Sequence, residues 1–136
     1  MRASLPLIGL VLALGCSSSR MEPGTVLAVG VWGGERANLI VGPDSVRAEF
    51  DCASGRLDAP VVLDALGRFD VGGTYRFEAG PVFAPVPARW TGQVVETAGG
   101  SEVTLEVTVH DPKADPLQLG PFHLKSGVRL TLGLCA

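Results

Sequence analysis

Residues Ser45 to Cys52 alternate without a break: Val46, Ala48, Phe50 and Cys52 are apolar, while Ser45, Arg47, Glu49 and Asp51 are polar. Successive strand side chains point to opposite faces, so this is a half-buried β-strand that ends on a buried thiol. Glu102–His110 alternates as regularly, with Val103, Leu105, Val107 and Val109 on one face. From Thr25 onward no helical apolar period of useful length competes with these patterns. That restricts the chain to an all-β fold.

Further short β-type segments are separated by Gly, Pro, Asp and Asn: Val26–Trp32, Ala37–Val41, Arg56–Leu63, Arg68–Phe77, Arg89–Thr97, Leu117–Lys125 and Val128–Cys135. Gly33-Gly34 and Gly99-Gly100 supply residues that accept positive φ, as tight hairpins require. Gly42-Pro43-Asp44 and Asp64-Ala65-Leu66-Gly67 read as type I turns or bulged loops. Short connections make neighbouring strands antiparallel, which predicts a small up-and-down β-barrel of about eight strands. A β-sandwich is the alternative. Ala79–Ala88 carries Pro81, Pro85 and Pro87 and so is no central strand. Phe83 and Val86 within it are candidates for a lid over one barrel end, against the plainer reading of a rigid loop. Asp111–Pro116 is an exposed loop.

The N-terminus reads as an export signal. Arg2 supplies the charge, the ten-residue stretch Leu5–Leu14 is apolar, and Gly15-Cys16 stands where a cleavage site belongs. That stretch falls short of the roughly 20 residues a transmembrane helix needs. The tail Leu12-Ala13-Leu14-Gly15-Cys16 resembles the lipobox of bacterial lipoproteins, with Ala13 where leucine is usual. The resemblance implies cleavage before Cys16, acylation of that cysteine, the new N-terminus, with palmitate-type chains, and a bilayer anchor. Ordinary secretion after cleavage near Gly15 is the alternative. The chain then divides into a signal (1–15), a lipidated tether (16–24) and a β-domain (25–136). With Cys16 acylated, the remaining two of the three cysteines, Cys52 and Cys135, form an even pair in an oxidising compartment. The rival role for Cys52, nucleophile or metal ligand, has no motif behind it.

On the last predicted strand Val128, Leu130, Leu132 and Leu134 share one face, which puts Cys135 on the other. A Cys52–Cys135 disulfide therefore requires a phase shift, for which Gly133 is the candidate bulge.

Gly30-Val31-Trp32 resembles the Gly-x-Trp that opens the first strand of lipocalins and other calycin barrels. It implies that Trp32 plugs a barrel end with Arg129 lying across it. Trp32-Gly33-Gly34, Glu49-Phe50-Asp51-Cys52-Ala53, Gly67-Arg68-Phe69, Gly73-Thr74-Tyr75, Pro87-Ala88-Arg89-Trp90-Thr91-Gly92 and Gly120-Pro121-Phe122 resemble, in that order, a group of small bacterial envelope proteins. That resemblance implies the β fold and the terminal cysteine, and attaches no activity.

The formal net charge is −3, and removal of Arg2 with the signal lowers it to −4. An acidic, lysine-poor chain is a poor nucleic-acid partner, because phosphates call for clustered Lys and Arg. His110 and His123 are isolated from other ligand-type residues, and Asp58, Asp64 and Asp70 are interrupted by apolar residues, so neither zinc nor calcium is expected. Glu49 with Asp51, and Glu102 with Glu106, read as outer-face carboxylates matched by Arg47 or Arg76 across strands. No nucleophile motif, phosphate loop or paired-carboxylate cleft is recognisable, and no cofactor is expected. The expectation is a non-catalytic, lipid-anchored cell-envelope protein. It would act as a structural or interaction module on an envelope protein partner, at the periplasmic face of an outer membrane where the cell has one. A carrier or sensor of a small apolar ligand inside the barrel is the alternative, and a secreted enzyme the second.

Overall fold

The computed structural model describes residues 21–133 and Cys135. The signal, Cys16, the first part of the tether, Leu134 and Ala136 lie outside the described residues. The strands are β1 Thr25–Val26, β2 Gly30–Gly34, β3 Ala37–Val41, β4 Val46–Phe50, β5 Ala53–Leu57, β6 Val62–Leu63, β7 Arg68–Phe77, β8 Val86–Thr97, β9 Gly100–Val109 and β10 Leu117–Ser126. Eight of them close into an antiparallel barrel in the order β10-β2-β3-β4-β5-β7-β8-β9, an up-and-down meander, while β1 and β6 pair separately. The barrel is thus as the alternation requires.

The strands meet very unequally. β8 and β9 stay in register from Ala88↔Val109 to Thr97↔Gly100. β10 closes on β2 through only two register pairs, Lys125↔Gly33 and Ser126↔Trp32. Each ladder bond adds roughly 0.5–1.5 kcal/mol net, so this seam is the weak line of the barrel.

The interior is filled by side chains. Trp90 lies on the axis at 0 % exposure, with Leu39, Leu105, Leu124, Val103 and Val107 equally buried. Phe50 stacks on it with ring centroids 6.2 Å apart and meets Phe122 at 5.3 Å and Tyr75 at 5.9 Å. Two glycines make the space: a Cβ on Gly55 would overlap the indole, and one on Gly73 would sit 3.0 Å from its Nε1. The Trp90 Nε1–H is buried without an acceptor among the described residues. An unpaired donor costs about 1–3 kcal/mol. Burying 150–250 Å² of indole at about 25 cal/mol per Å² contributes about 4–6 kcal/mol, so packing wins.

One end is plugged by the small β1–β6 ribbon. The Leu27 N–H donates to the Val61 carbonyl at 2.9 Å, and Leu27, Val61 and Leu63 are all buried.

Several boundaries depart from the sequence reading. β4 stops at Phe50, and Asp51-Cys52 is a two-residue turn with Cys52 at φ 103° and exposed. The thiol therefore does not lie on the inner face of a strand. Arg56–Leu63 is not one strand: β5 ends at Leu57, and the chain resumes as β6 around Pro60. Gly33-Gly34 belongs to β2, and the hairpin turn is Glu35-Arg36, both with positive φ. Val86-Pro87-Ala88, expected from the prolines to lie outside any central strand, instead open barrel strand β8; Pro87 stands opposite Thr74, one pair from the ladder's end at Tyr75↔Val86, where a missing donor is tolerated. The Val128–Cys135 strand is absent: residues 128–133 take no strand pairing.

Gly55→Ala is expected to lower unfolding stability by about 1–3 kcal/mol in urea, the cost of forcing a methyl against Trp90. Tryptophan emission reports the displaced indole.

Candidate functional site

The C-terminal segment runs across the sheet instead of along it. After β10, Gly127 turns the chain at φ +80°, and its N–H donates to the Val31 carbonyl at 2.8 Å. The segment then crosses the outer face of β2, β3 and β4 as a strap. On β3, Asn38 grips it from both sides: the Asn38 Nδ2 donates to the Leu130 carbonyl, and the Leu130 N–H donates to Oδ1, both at 2.9 Å. Asn38 points outward yet is only 1 % exposed, because the strap covers it. Gly33, beside it on β2, allows the crossing, since a Cβ there would lie 2.5 Å from the Val128 carbonyl oxygen.

Further along, the Arg129 guanidinium reaches Glu49 at 3.6 Å, and the Gly133 N–H donates to the Asp51 carboxylate at 2.7 Å. The strap ends in the Cys52–Cys135 disulfide, whose Cα atoms are 5.3 Å apart. Closing the 83-residue separation stabilises the fold by about 4 kcal/mol in the chain-entropy model. The phase conflict read from the sequence disappears: one cysteine lies in a turn and the other in the strap, so no bulge at Gly133 is needed.

Arg129 departs from the calycin expectation. Trp32 shares the inner row with Leu39 and Ala48, whereas Arg129 pairs with Glu49 on the outer row. The guanidinium and the indole are thus on opposite sides of the wall. Trp32 does fill the interior at 2 % exposure, and its Nε1–H donates to the Ala28 carbonyl at 3.2 Å. The lid residues separate too. Val86 is paired with Tyr75 at the start of β8 and packs on the core. Phe83 stays in the loop, edge-on to Phe77 at 6.3 Å, over a hollow of about 290 Å³.

Between the strap and the 78–85 loop, the outer face of β4, β5 and β7 forms an open cleft of about 760 Å³. Arg47, Glu49, Ser54, Arg56, Thr74 and Arg76 line its floor, with Leu132 and Gly133 on one wall and Glu78 and Pro85 on the other. Its carboxylates are committed. Glu49 holds Arg129, and Glu78 accepts from Ser54 at 2.6 Å and Arg76 at 3.0 Å. The Ser54 hydroxyl, foremost, and Arg76 hold the Glu78 carboxyl below the usual range. Asp51 pairs with Arg36, and the Gly133 N–H, ahead of that guanidinium, lowers its pKa. The cross-strand partners expected for Arg47 and Arg76 are therefore different: Arg76 turns to its own strand end, and Arg47 meets no carboxylate among the described residues.

Outside the cleft, the His123 backbone N–H and ring Nδ1 both meet the Glu35 carboxylate, at 2.9 and 3.0 Å, across the seam. His110 is exposed. Asp64 caps its turn by accepting from the Leu66 and Arg68 N–H groups, and Asp70 pairs with Arg89. Among the described residues no three His, Cys, Asp or Glu converge on a point where a metal ion would fit. The sequence shows Arg47 as a polar-face residue and Arg56 only as the start of a β-type segment. That they share a cleft depends on the strap, whose path no local pattern encodes.

No protein-family model, curated protein or solved structure matches the chain.

Asn38→Ala is expected to lower stability by about 2–3 kcal/mol at neutral pH, from two lost hydrogen bonds and a stranded Leu130 peptide. Because the Asp51 pKa is lowered on folding, its stabilisation is present in full above the ordinary value of 3.8 and is lost as the pH falls through the lower folded value. The melting temperature of the native chain is accordingly expected to fall more steeply below about pH 4 than that of Asp51→Asn.

Proposed function

We propose that the chain is an exported, lipid-anchored module of the cell envelope that acts by binding on its outer surface, without catalysis. The observation that supports surface binding is the contrast between the barrel axis and the outer face. The barrel axis is taken by Trp90, Phe50, Tyr75 and Leu105, whereas the 760 Å³ concavity lies outside, on the β4-β5-β7 face. Ligand sites are usually concavities of about 300–1,000 Å³ with a few convergent polar groups, which the outer cleft satisfies and the packed axis does not. The cleft carries two guanidinium groups with no carboxylate partner among the described residues, while its hydroxyl–carboxylate contact, Ser54 to Glu78, is shared with the Arg76 guanidinium, which lowers the basicity of that carboxylate; this favours recognition over reaction.

The anchor reading rests on cysteine chemistry. The Cys52–Cys135 bond leaves Cys16 as the odd thiol of three, at the end of a lipobox-like signal. Two or more acyl chains at about 0.8 kcal/mol per buried CH₂ hold a protein durably at a bilayer. The polar tether Ser17–Gly24, at most roughly 28 Å long, then keeps the domain close to the membrane. Ser17 after the lipid cysteine, where enteric-type inner-membrane retention uses aspartate, favours the periplasmic face of an outer membrane.

The alternative, a carrier for a small apolar ligand, would need space on the barrel axis that Trp90 and Phe50 occupy. Two experiments test the proposal. Metabolic labelling with an alkyne palmitate analogue should mark the full chain and not Cys16→Ser; equal labelling of both refutes the anchor. Native mass spectrometry of the exported domain should show a bare mass two hydrogens below the reduced chain. A stoichiometric apolar adduct would replace surface binding with the carrier.

A further inference from the structure

The cleft floor holds an arrangement that folding does not explain. The described residues contain arginines at 36, 47, 56, 68, 76, 89 and 129. Five have carboxylate partners: Arg36 with Asp51, Arg68 with Asp64, Arg76 with Glu78, Arg89 with Asp70 and Arg129 with Glu49. The remaining two, Arg47 on β4 and Arg56 on β5, are direct cross-strand partners. Both are exposed on the outer face, with Thr74 of β7 next in the same row. Like charges directly opposite one another in an antiparallel pair are destabilising. In a chain with net charge −3 and 14 acidic residues, these two nevertheless stand on the floor of the large outer cleft with no carboxylate partner among the described residues.

We infer that Arg47 and Arg56 form an anion-binding pair, and that the cleft takes a small soluble dianion bearing phosphate or carboxylate groups. This rests on the outer cleft being the binding face. Guanidinium groups meet both kinds of oxyanion through paired N–H donors in a fixed fork. Two of them side by side match two negative charges, and their mutual repulsion is relieved when the anion arrives. The nearby carboxylates do not compete, since Glu49 is held by Arg129 and Glu78 by Arg76 and Ser54. The strap at Leu132 and Gly133 and the loop at Pro85 stand on either side of the floor. Such walls admit a small molecule and hold a flat bilayer surface away.

The test is calorimetric titration of the full chain in neutral detergent at low salt and about pH 8, with inorganic phosphate and glutarate as dianions and acetate as the monoanion. Saturable binding of one or both dianions, about tenfold or more tighter than acetate, is expected. Arg47→Gln and Arg56→Gln should each weaken it about tenfold or more, and Arg89→Gln, whose side chain is paired with Asp70 outside the cleft, should not. No saturable binding, no preference over acetate, or an equal loss in Arg89→Gln overturns the inference. Backbone amide shifts recorded on the same samples separate its failure from that of the underlying reading. Shifts at Leu132 and Gly133 that survive both cleft substitutions end the arginine pair but keep the cleft. Shifts confined to the Trp90 environment end both.

Discussion

The barrel depends on how its first and last strands are held together. Every other pair of neighbours in the barrel shares at least five register pairs, but β10 meets β2 through two. A seam that short cannot resist opening by backbone bonds alone. The chain spans it in two other ways. Glu35, in the β2–β3 turn, accepts from the backbone of His123 on β10. Beyond β10, the strap passes over β2 and β3 and is gripped by Asn38 before it is welded to the β4–β5 turn through Cys135. A link that begins on the last strand and ends beyond the third strand of the barrel ties the two sides of the seam together.

The same device explains the backbone strain. Glu35, Arg36 and Cys52 all hold positive φ, a conformation that costs a non-glycine residue roughly 1–2 kcal/mol. All three sit in the two turns that meet at the strap's far end, where Arg36 pairs with Asp51 and Asp51 receives the Gly133 N–H. The surface ion pair adds little by itself. The disulfide, with about 4 kcal/mol, is large enough to hold the Cys52 turn in place. Structure and candidate site are linked here, because the strap that locks the seam is also one wall of the arginine-lined cleft.

What was legible in the sequence follows from what is local. Alternation in Val46–Phe50 and Val103–Val109 depends only on strand geometry, and it places those side chains correctly. Asp64 and Gly67 mark their turn because an Asx cap and a positive φ are single-residue requirements. The strap reads as a strand in the sequence because Val128, Leu130 and Leu132 also alternate. Its actual partner, Asn38, lies 92 residues from Leu130, and a polar residue on an apparently solvated face gives no sign that it will be buried. Gly33-Gly34 reads as a turn for a similar reason: glycine signals close approach and positive φ alike, and only the crossing strap distinguishes them. The pairing of Cys52 with Cys135 follows from counting cysteines, which needs no geometry. The cleft does not, since it exists only once strap, sheet and loop are assembled.

Hydrogen exchange on the oxidised chain and on Cys135→Ser, followed strand by strand, tests the role of the strap most directly. If the strap holds the seam, the variant loses protection first and most at Val31–Gly34 and Lys125–Ser126, while the β8–β9 ladder stays protected. Uniform loss over all eight barrel strands, or unchanged protection at the seam, would contradict it.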